Sequence, residues 1–116
     1  MSRNVLIRAS ALFGFFAVLF GAFGAHALKT ILISHNTETI WATAVIYHLI
    51  HSIASLWAAE RRPMTAKLWL VGILFFSGSL YILALTGIHW LGAITPIGGF
   101  LFLVGWLMLA VKGIEL

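Results

Sequence analysis

The chain has 116 residues, of which 62% are hydrophobic and 9% are charged, and its mean hydropathy is +1.08. A soluble domain carries about 25% charged residues, so this composition excludes a soluble globular protein and indicates a single domain, residues 1–116, with the lipid bilayer as its solvent. The formal net charge is +4, but the basic residues stand at the ends of apolar runs, which indicates membrane flanks and no nucleic-acid partner.

Four apolar runs follow one another along the chain, each close to the ~20 residues that cross ~30 Å of hydrocarbon as a helix. Alternating segments of about ten residues, which a transmembrane barrel needs, are absent. The short connections between the runs predict an all-α integral membrane protein, an antiparallel up-down four-helix transmembrane bundle. The predicted spans are residues 6–28, 40–59, 67–87 and 91–111.

The first run also resembles a secretory signal, because Arg3 and Arg8 precede it and Ala25-His26-Ala27 fits a cleavage pattern. Its apolar stretch exceeds the usual 7–15 residues of a signal. We therefore expect it to be retained as a helix, with His26 near its outer end.

The second run carries the most distinctive feature of the chain. His48 and His51 are one turn apart, and with Ser52 they fall on one face, opposite a face of three isoleucines and Trp57. Asn36 or Thr37 can cap the start of this helix. Ionisable residues in hydrocarbon are costly, so each is a candidate functional residue.

We predict that the in-membrane polar residues gather in the outer half of the bundle as one polar cluster. Its members are His26, Tyr47, His48, His51, Ser52, Ser77 and Tyr81. Zinc or copper binding, haem ligation and proton relay are open alternatives to neutral imidazoles hydrogen-bonded inside the protein. Since no Cys, Asp or in-membrane Glu completes a ligand set, we expect no metal and no cofactor.

Small residues mark the faces on which helices pack in lipid, where close approach of backbones substitutes for the hydrophobic effect. The glycines predicted to pack helices are Gly14, Gly21, Gly24, Gly72, Gly78, Gly98, Gly99 and Gly105. Four of the five tryptophans fall at span ends and Trp106 lies about one and a half turns inside its span, and all five are predicted to anchor the protein at the membrane interfaces.

The basic residues predict the orientation. Six of the seven would lie on the side of both termini, and only Lys29 on the other. This asymmetry predicts a multi-pass protein of the inner (plasma) membrane with the N- and C-termini in the cytoplasm.

The sequence matches no known arrangement of catalytic residues. Glu38, Glu60 and Glu115 stand in connections or at the end of the chain, away from any base that they could orient. We expect a non-enzymatic structural or accessory protein that binds a lipid, a membrane protein partner or a second copy of itself. The alternative is a small, oligomeric transporter or channel that uses His51 as its titrating group.

Four sequence runs, one in each predicted helix, carry a resemblance to a known family. The runs are residues 21–26 (GAFGAH), 43–51 (TAVIYHLIH), 76–81 (FSGSLY) and 95–99 (TPIGG). They resemble the YgdD-like family of small four-helix bacterial inner-membrane proteins, which has a small eukaryotic transmembrane relative and no known function. The resemblance implies the fold and the location and supplies no substrate. By resemblance, His48 corresponds to a position that is often glutamine in relatives.

Overall fold

A computed structural model describes residues 2–114, so the expectation for Glu115 lies outside the described residues. No β-strand occurs within this range, and the predicted all-α class is confirmed. The helices are α1 (Arg3–Ala25), α2 (Lys29–Ser34), α3 (Glu38–Ala58), α4 (Pro63–Thr86) and α5 (Thr95–Lys112), with a 3₁₀ helix at His89–Ala93.

Four of these helices are long and apolar enough to cross a membrane: α1, α3, α4, and α5 together with the 3₁₀ helix before it. The connection between the first two spans contains a helix that the sequence analysis did not predict, because Lys29–Ser34 forms the short helix α2. Leu32 explains this helix, since its buried side chain packs into the same apolar cluster as Trp41 and Ala84.

The helix ends follow familiar local rules. The Ser2 hydroxyl accepts a hydrogen bond from the Val5 amide and caps α1. Pro63 begins α4, and Gly87 ends it in the left-handed conformation at φ 72°. Thr37 occupies the predicted capping position of α3, but its hydroxyl donates to the Ala84 carbonyl at 2.7 Å instead of capping the helix.

The helices α3 and α4 form the central pair, with α1 packed on α3 and α5 packed on α4. We call the end of the bundle at which Arg62 donates a hydrogen bond to the Gly113 carbonyl the basic end. Near this end one apolar cluster surrounds the fully buried Trp69 and includes Leu6 of α1. A second cluster surrounds Trp41 near the opposite end, which we call the far end.

Two hydrogen bonds place the start of one helix beside the last third of the helix that precedes it in the bundle. The Trp41 indole near the start of α3 donates to the Phe20 carbonyl near the end of α1 at 2.9 Å. The Ser79 hydroxyl of α4 and the Thr95 hydroxyl of α5 lie 2.6 Å apart. The antiparallel order of the spans stays a prediction, and these contacts support it.

Glycines admit the closest approaches between helices. A Cβ on Gly98 would collide with the backbone of Phe76 and with the Gly72 carbonyl, so α4 and α5 touch here. Gly24 and Gly105 lie directly under the rings of Trp41 and Trp69. Gly24, Gly72, Gly98 and Gly105 need to be glycine because atoms of a neighbouring helix occupy the space that a side chain would fill.

The remaining predicted packing glycines have more room. A Cβ on Gly21 would lie 3.3 Å from Val45, and one on Gly14 or Gly99 would make ordinary contacts at 3.8 Å. Gly78 differs from all of these, because a Cβ there would meet no atom within 4 Å. Gly78 therefore faces open space, and the prediction that it packs against a neighbouring helix fails within this chain.

Candidate functional site

His51 lies in the middle of α3, buried and with both ring nitrogens hydrogen-bonded. Nδ1 is 2.8 Å from the Tyr47 carbonyl oxygen, and the Trp106 indole nitrogen is 2.9 Å from Nε2. A carbonyl only accepts and an indole N–H only donates. Hence Nδ1 carries the proton, Nε2 accepts, and this geometry defines a neutral imidazole.

Aromatic rings enclose the His51 imidazole. The Phe102 ring stacks on it with centroids 3.7 Å apart and planes 9° from parallel. Trp69 and Trp106 meet it edge-on, with centroids 6.0 and 5.9 Å away. Two of these three rings come from α5, so His51 joins α3 to α5 across one side of the bundle.

Tyr47 lies outside the core. The prediction that its side chain points into the bundle is therefore wrong. Its side chain is 42% exposed, and its hydroxyl makes no hydrogen bond within residues 2–114. The ring packs against Phe76 with centroids 4.7 Å apart. Together with His51, Phe102 and Trp106 it borders an open cleft of about 570 Å³, which we call the α3–α5 cleft.

His48 faces a different neighbourhood. Its Nδ1 is 2.8 Å from the Tyr81 hydroxyl of α4, and both side chains are buried. The rings of Phe13 and Phe20 from α1 lie 6.3 and 6.2 Å from the imidazole. The predicted single cluster is therefore two separate sites, one around His48 toward α1 and α4, the other around His51 toward α5.

The two serines of the predicted cluster donate hydrogen bonds to backbone carbonyls. Ser77 of α4 donates to the Ala44 carbonyl of α3 at 2.7 Å, which ties the central helices together. Ser52 donates to the His48 carbonyl within α3, also at 2.7 Å. Neither hydroxyl hydrogen-bonds a histidine ring, so Ser77 joins two helices, Ser52 bonds within its own helix, and the imidazoles have other partners.

His26 lies apart from both sites. It ends α1 at the far end of the bundle, with an exposed side chain that makes no hydrogen bond within residues 2–114. The prediction that His26 points into the bundle is wrong, because α1 ends at Ala25 and the chain turns there. Within the described range, no three His, Asp or Glu side chains lie close enough together to hold a metal ion.

Three tryptophans have a role that the sequence reasoning missed. Trp41 is 5% exposed and Trp69 fully buried, and each donates to a backbone carbonyl of the neighbouring helix. Trp106 donates to His51. An indole N–H inside a span has no water to bond, so it must find a protein acceptor. Only Trp106, about one and a half turns inside its predicted span, offered a signal in the sequence. The exposed Trp57 and Trp90 fit the predicted interfacial position.

The family model described as protein of unknown function (DUF423) matches residues 20–99 of this chain. A UPF0382 membrane protein of Staphylococcus saprophyticus is 47% identical, over 93% of this chain and 95% of its own. A UPF0382 membrane protein of Haemophilus influenzae is 45% identical, over 93% and 92%. The UPF0382 inner membrane protein YgdD of Escherichia coli is 37% identical, over 99% and 92%.

No solved structure matches the chain. The family resemblance that the four sequence runs indicated is confirmed by the match over residues 20–99 and by relatives aligned over most of their length. The chain thus belongs to the DUF423 family of UPF0382 membrane proteins and is an integral membrane protein of a family whose function is unknown.

Proposed function

We propose that this protein is a non-enzymatic membrane protein that acts by binding a lipid or a membrane partner. The observation that carries the proposal is the full use of both ring nitrogens of His51, at 2.8 and 2.9 Å from their partners. A histidine held in this way serves as a structural bond between α3 and α5. The features that remain to explain a function are the open clefts on the surface of the bundle, and these support binding.

A proton relay at His51 is disfavoured by the same geometry. A relaying imidazole takes up a proton on its free nitrogen and releases the one on the other nitrogen. Here the Trp106 indole N–H already points at Nε2, so a proton added to Nε2 would face another donor. The relay would first have to break the bond that joins α3 to α5.

Within residues 2–114, acid–base catalysis also lacks a carboxylate that could orient a histidine as the base. Glu38 lies exposed in the first turn of α3, and Glu60 lies exposed in the connection before α4. Neither carboxylate makes a hydrogen bond or an ion pair with a histidine within the part of the chain that the structure describes. A base that no carboxylate orients supports binding over catalysis.

The proposal includes an orientation with both termini in the cytoplasm. Arg62 and Lys67 lie at the basic end, and Lys112 lies in the last turn of α5. Lys29 begins α2 at the far end. Basic residues favour the cytoplasmic side, and we infer that the basic end faces the cytoplasm at the inner membrane.

The alternative is a small transporter or channel that uses His51. The α3–α5 cleft favours it, because this cleft opens on the membrane and has His51 and Trp106 in its wall. A continuous pathway would need a second copy of the chain to close the cleft. This alternative therefore requires a homo-oligomer, whereas the binding role does not.

Proton flux into proteoliposomes separates the two functions. Purified protein is reconstituted with an enclosed pH-sensitive dye, and a potassium gradient with valinomycin drives protons inward. We expect the rate of acidification to equal that of protein-free liposomes. A rate well above this background that His51→Ala abolishes and His48→Ala leaves intact would overturn the proposal and establish the transporter.

A further inference from the structure

An apolar groove opens on the membrane between α1 and α4, which touch only lightly. It has a volume of about 280 Å³, and its lining includes Phe13 and Phe16 of α1 and Leu74 and Gly78 of α4. The rings of His48 and Tyr81 also line it, and the Tyr81 hydroxyl is hydrogen-bonded to Nδ1 of His48. The groove therefore offers hydrocarbon contacts along its length.

Gly78 keeps this groove open. A Cβ at this position would meet no atom within 4 Å, so no neighbouring helix demands glycine here. Glycine costs about 1 kcal/mol relative to alanine inside a helix. A helical glycine beside empty space is explained if something outside the chain fills that space.

Lys67 lies on the same face of α4 as the groove. The residues Lys67, Leu74 and Gly78 are spaced by seven and four positions, which places them on one stripe of a helix. The Lys67 side chain is half-buried, and it makes no hydrogen bond or ion pair within residues 2–114. Neither α1 nor α4 contains an acidic residue that could neutralise it.

The spacing between Lys67 and the groove matches one leaflet of a bilayer. Leu74 lies seven residues beyond Lys67, about 10 Å along the helix, and Gly78 lies about 16 Å beyond it. Half of a typical hydrocarbon core is about 15 Å thick. A lipid with its headgroup at Lys67 would thus extend an acyl chain to the level of Gly78.

We propose that Lys67 and the α1–α4 groove form a binding site for one anionic phospholipid of the leaflet at the basic end. The phosphate pairs with the Lys67 ammonium, and one acyl chain lies between Phe16 and Leu74 and ends near Gly78. Charge complementarity selects an anionic lipid, because Lys67 has no partner within residues 2–114 and neither α1 nor α4 carries a carboxylate. This inference rests on the binding role proposed above and names its ligand.

Native mass spectrometry of the purified full chain tests the site with two probes, phosphatidylglycerol and phosphatidylcholine carrying identical acyl chains. Lys67→Ala should weaken phosphatidylglycerol binding about five-fold, the usual effect of one basic residue on an anionic lipid, and leave phosphatidylcholine unchanged. Lys112→Ala is the matched control, since it removes the same charge from an exposed position on α5. It should change neither lipid.

The acyl-chain half of the site has its own pair of variants. Gly78→Leu places a side chain in the groove, where it meets open space, and should weaken the binding of both lipids. Gly99→Leu adds the same side chain to α5, outside the groove, and should not. Helix content and unfolding midpoint, measured in parallel, show whether each variant is folded.

Three outcomes would overturn the site. Equal effects of Lys67→Ala and Lys112→Ala would mean that only net charge attracts the lipid. Undiminished lipid binding by folded Gly78→Leu would mean that no chain lies in the groove, and a loss of dimers in that variant would assign the groove to a second copy. None of these outcomes involves proton flux, so failure here is distinguishable from failure of the binding role.

Discussion

The Trp106 indole of α5 donates a hydrogen bond to Nε2 of His51 in α3 at 2.9 Å. This bond joins two helices whose main packing partners lie elsewhere, because α3 packs on α1 and α4 and α5 packs on α4. It also fixes the imidazole as the neutral tautomer with its proton on Nδ1, where the Tyr47 carbonyl accepts it. One bond therefore links α5 to α3 and defines the chemical state of the buried histidine.

Replacing Trp106 by phenylalanine should destabilise the fold modestly. Trp106→Phe keeps an aromatic ring against Trp69 but removes the donor to His51. Side-chain hydrogen bonds in membranes are worth about 0.6 kcal/mol on average and about 1.7 kcal/mol at most. We expect a loss within this range in the free energy of unfolding, measured by titration with SDS in mixed micelles.

Trp90→Phe is the control for that variant, because Trp90 is 68% exposed and makes no hydrogen bond within residues 2–114. Its free energy of unfolding should equal that of the parent. If Trp106→Phe and Trp90→Phe unfold alike, the bond to His51 contributes nothing to stability.

The two tyrosines should respond differently to loss of the hydroxyl. Tyr81→Phe leaves Nδ1 of the buried His48 without its partner at 2.8 Å, which costs stability. Tyr47→Phe removes a hydroxyl that bonds nothing within the described range. Thermal unfolding in detergent should show a lower midpoint for Tyr81→Phe alone, and a lower midpoint for Tyr47→Phe alone would contradict the assignment.

Alanine at two adjacent glycines of α5 should have opposite effects on the free energy of unfolding. Gly98→Ala pushes a methyl group into the backbone of Phe76 and the Gly72 carbonyl, and such overpacking costs about 1–3 kcal/mol. Gly99→Ala makes only an ordinary contact with Phe76 at 3.8 Å and gains helix propensity. SDS unfolding of both variants should place Gly98→Ala below the parent and Gly99→Ala at or above it, and the reverse order would refute this packing.

Reporter fusions test the proposed orientation. A fusion after Leu28 should report the outside, and a fusion at the C-terminus should report the cytoplasm, because basic residues gather at the basic end. Alkaline phosphatase and a fluorescent protein give opposite readouts in the two compartments. Phosphatase activity at the C-terminus with none after Leu28 would invert the orientation.

The spans could be predicted from the sequence because length and hydropathy alone limit what crosses a bilayer. The lipid-facing side of α3 could also be predicted, since Ile46, Ile50 and Ile53 are all at least 49% exposed. The helix α2 could not, because its buried Leu32 packs into a cluster with Tyr81 and Ala84 of α4, which are distant in the sequence.

The site was predicted less completely. His48, His51 and Ser52 were placed correctly on the buried face of α3, and each is at most 4% exposed. A face about 100° wide does not specify which neighbour each side chain meets, so the separation of His48 from His51 needed the structure. The bond from Trp106 was missed because the preference of tryptophan for membrane interfaces favoured the interfacial interpretation.

The most direct test of the central claim is the ¹⁵N NMR spectrum of the His51 imidazole in labelled protein in lipid bilayers at pH 7. We predict a neutral ring with its proton on Nδ1 and a hydrogen bond from an indole to Nε2, and we expect Trp106→Phe to shift the Nε2 resonance. A ring protonated on both nitrogens, or one with its proton on Nε2, would contradict the claim that His51 is a structural bond between helices.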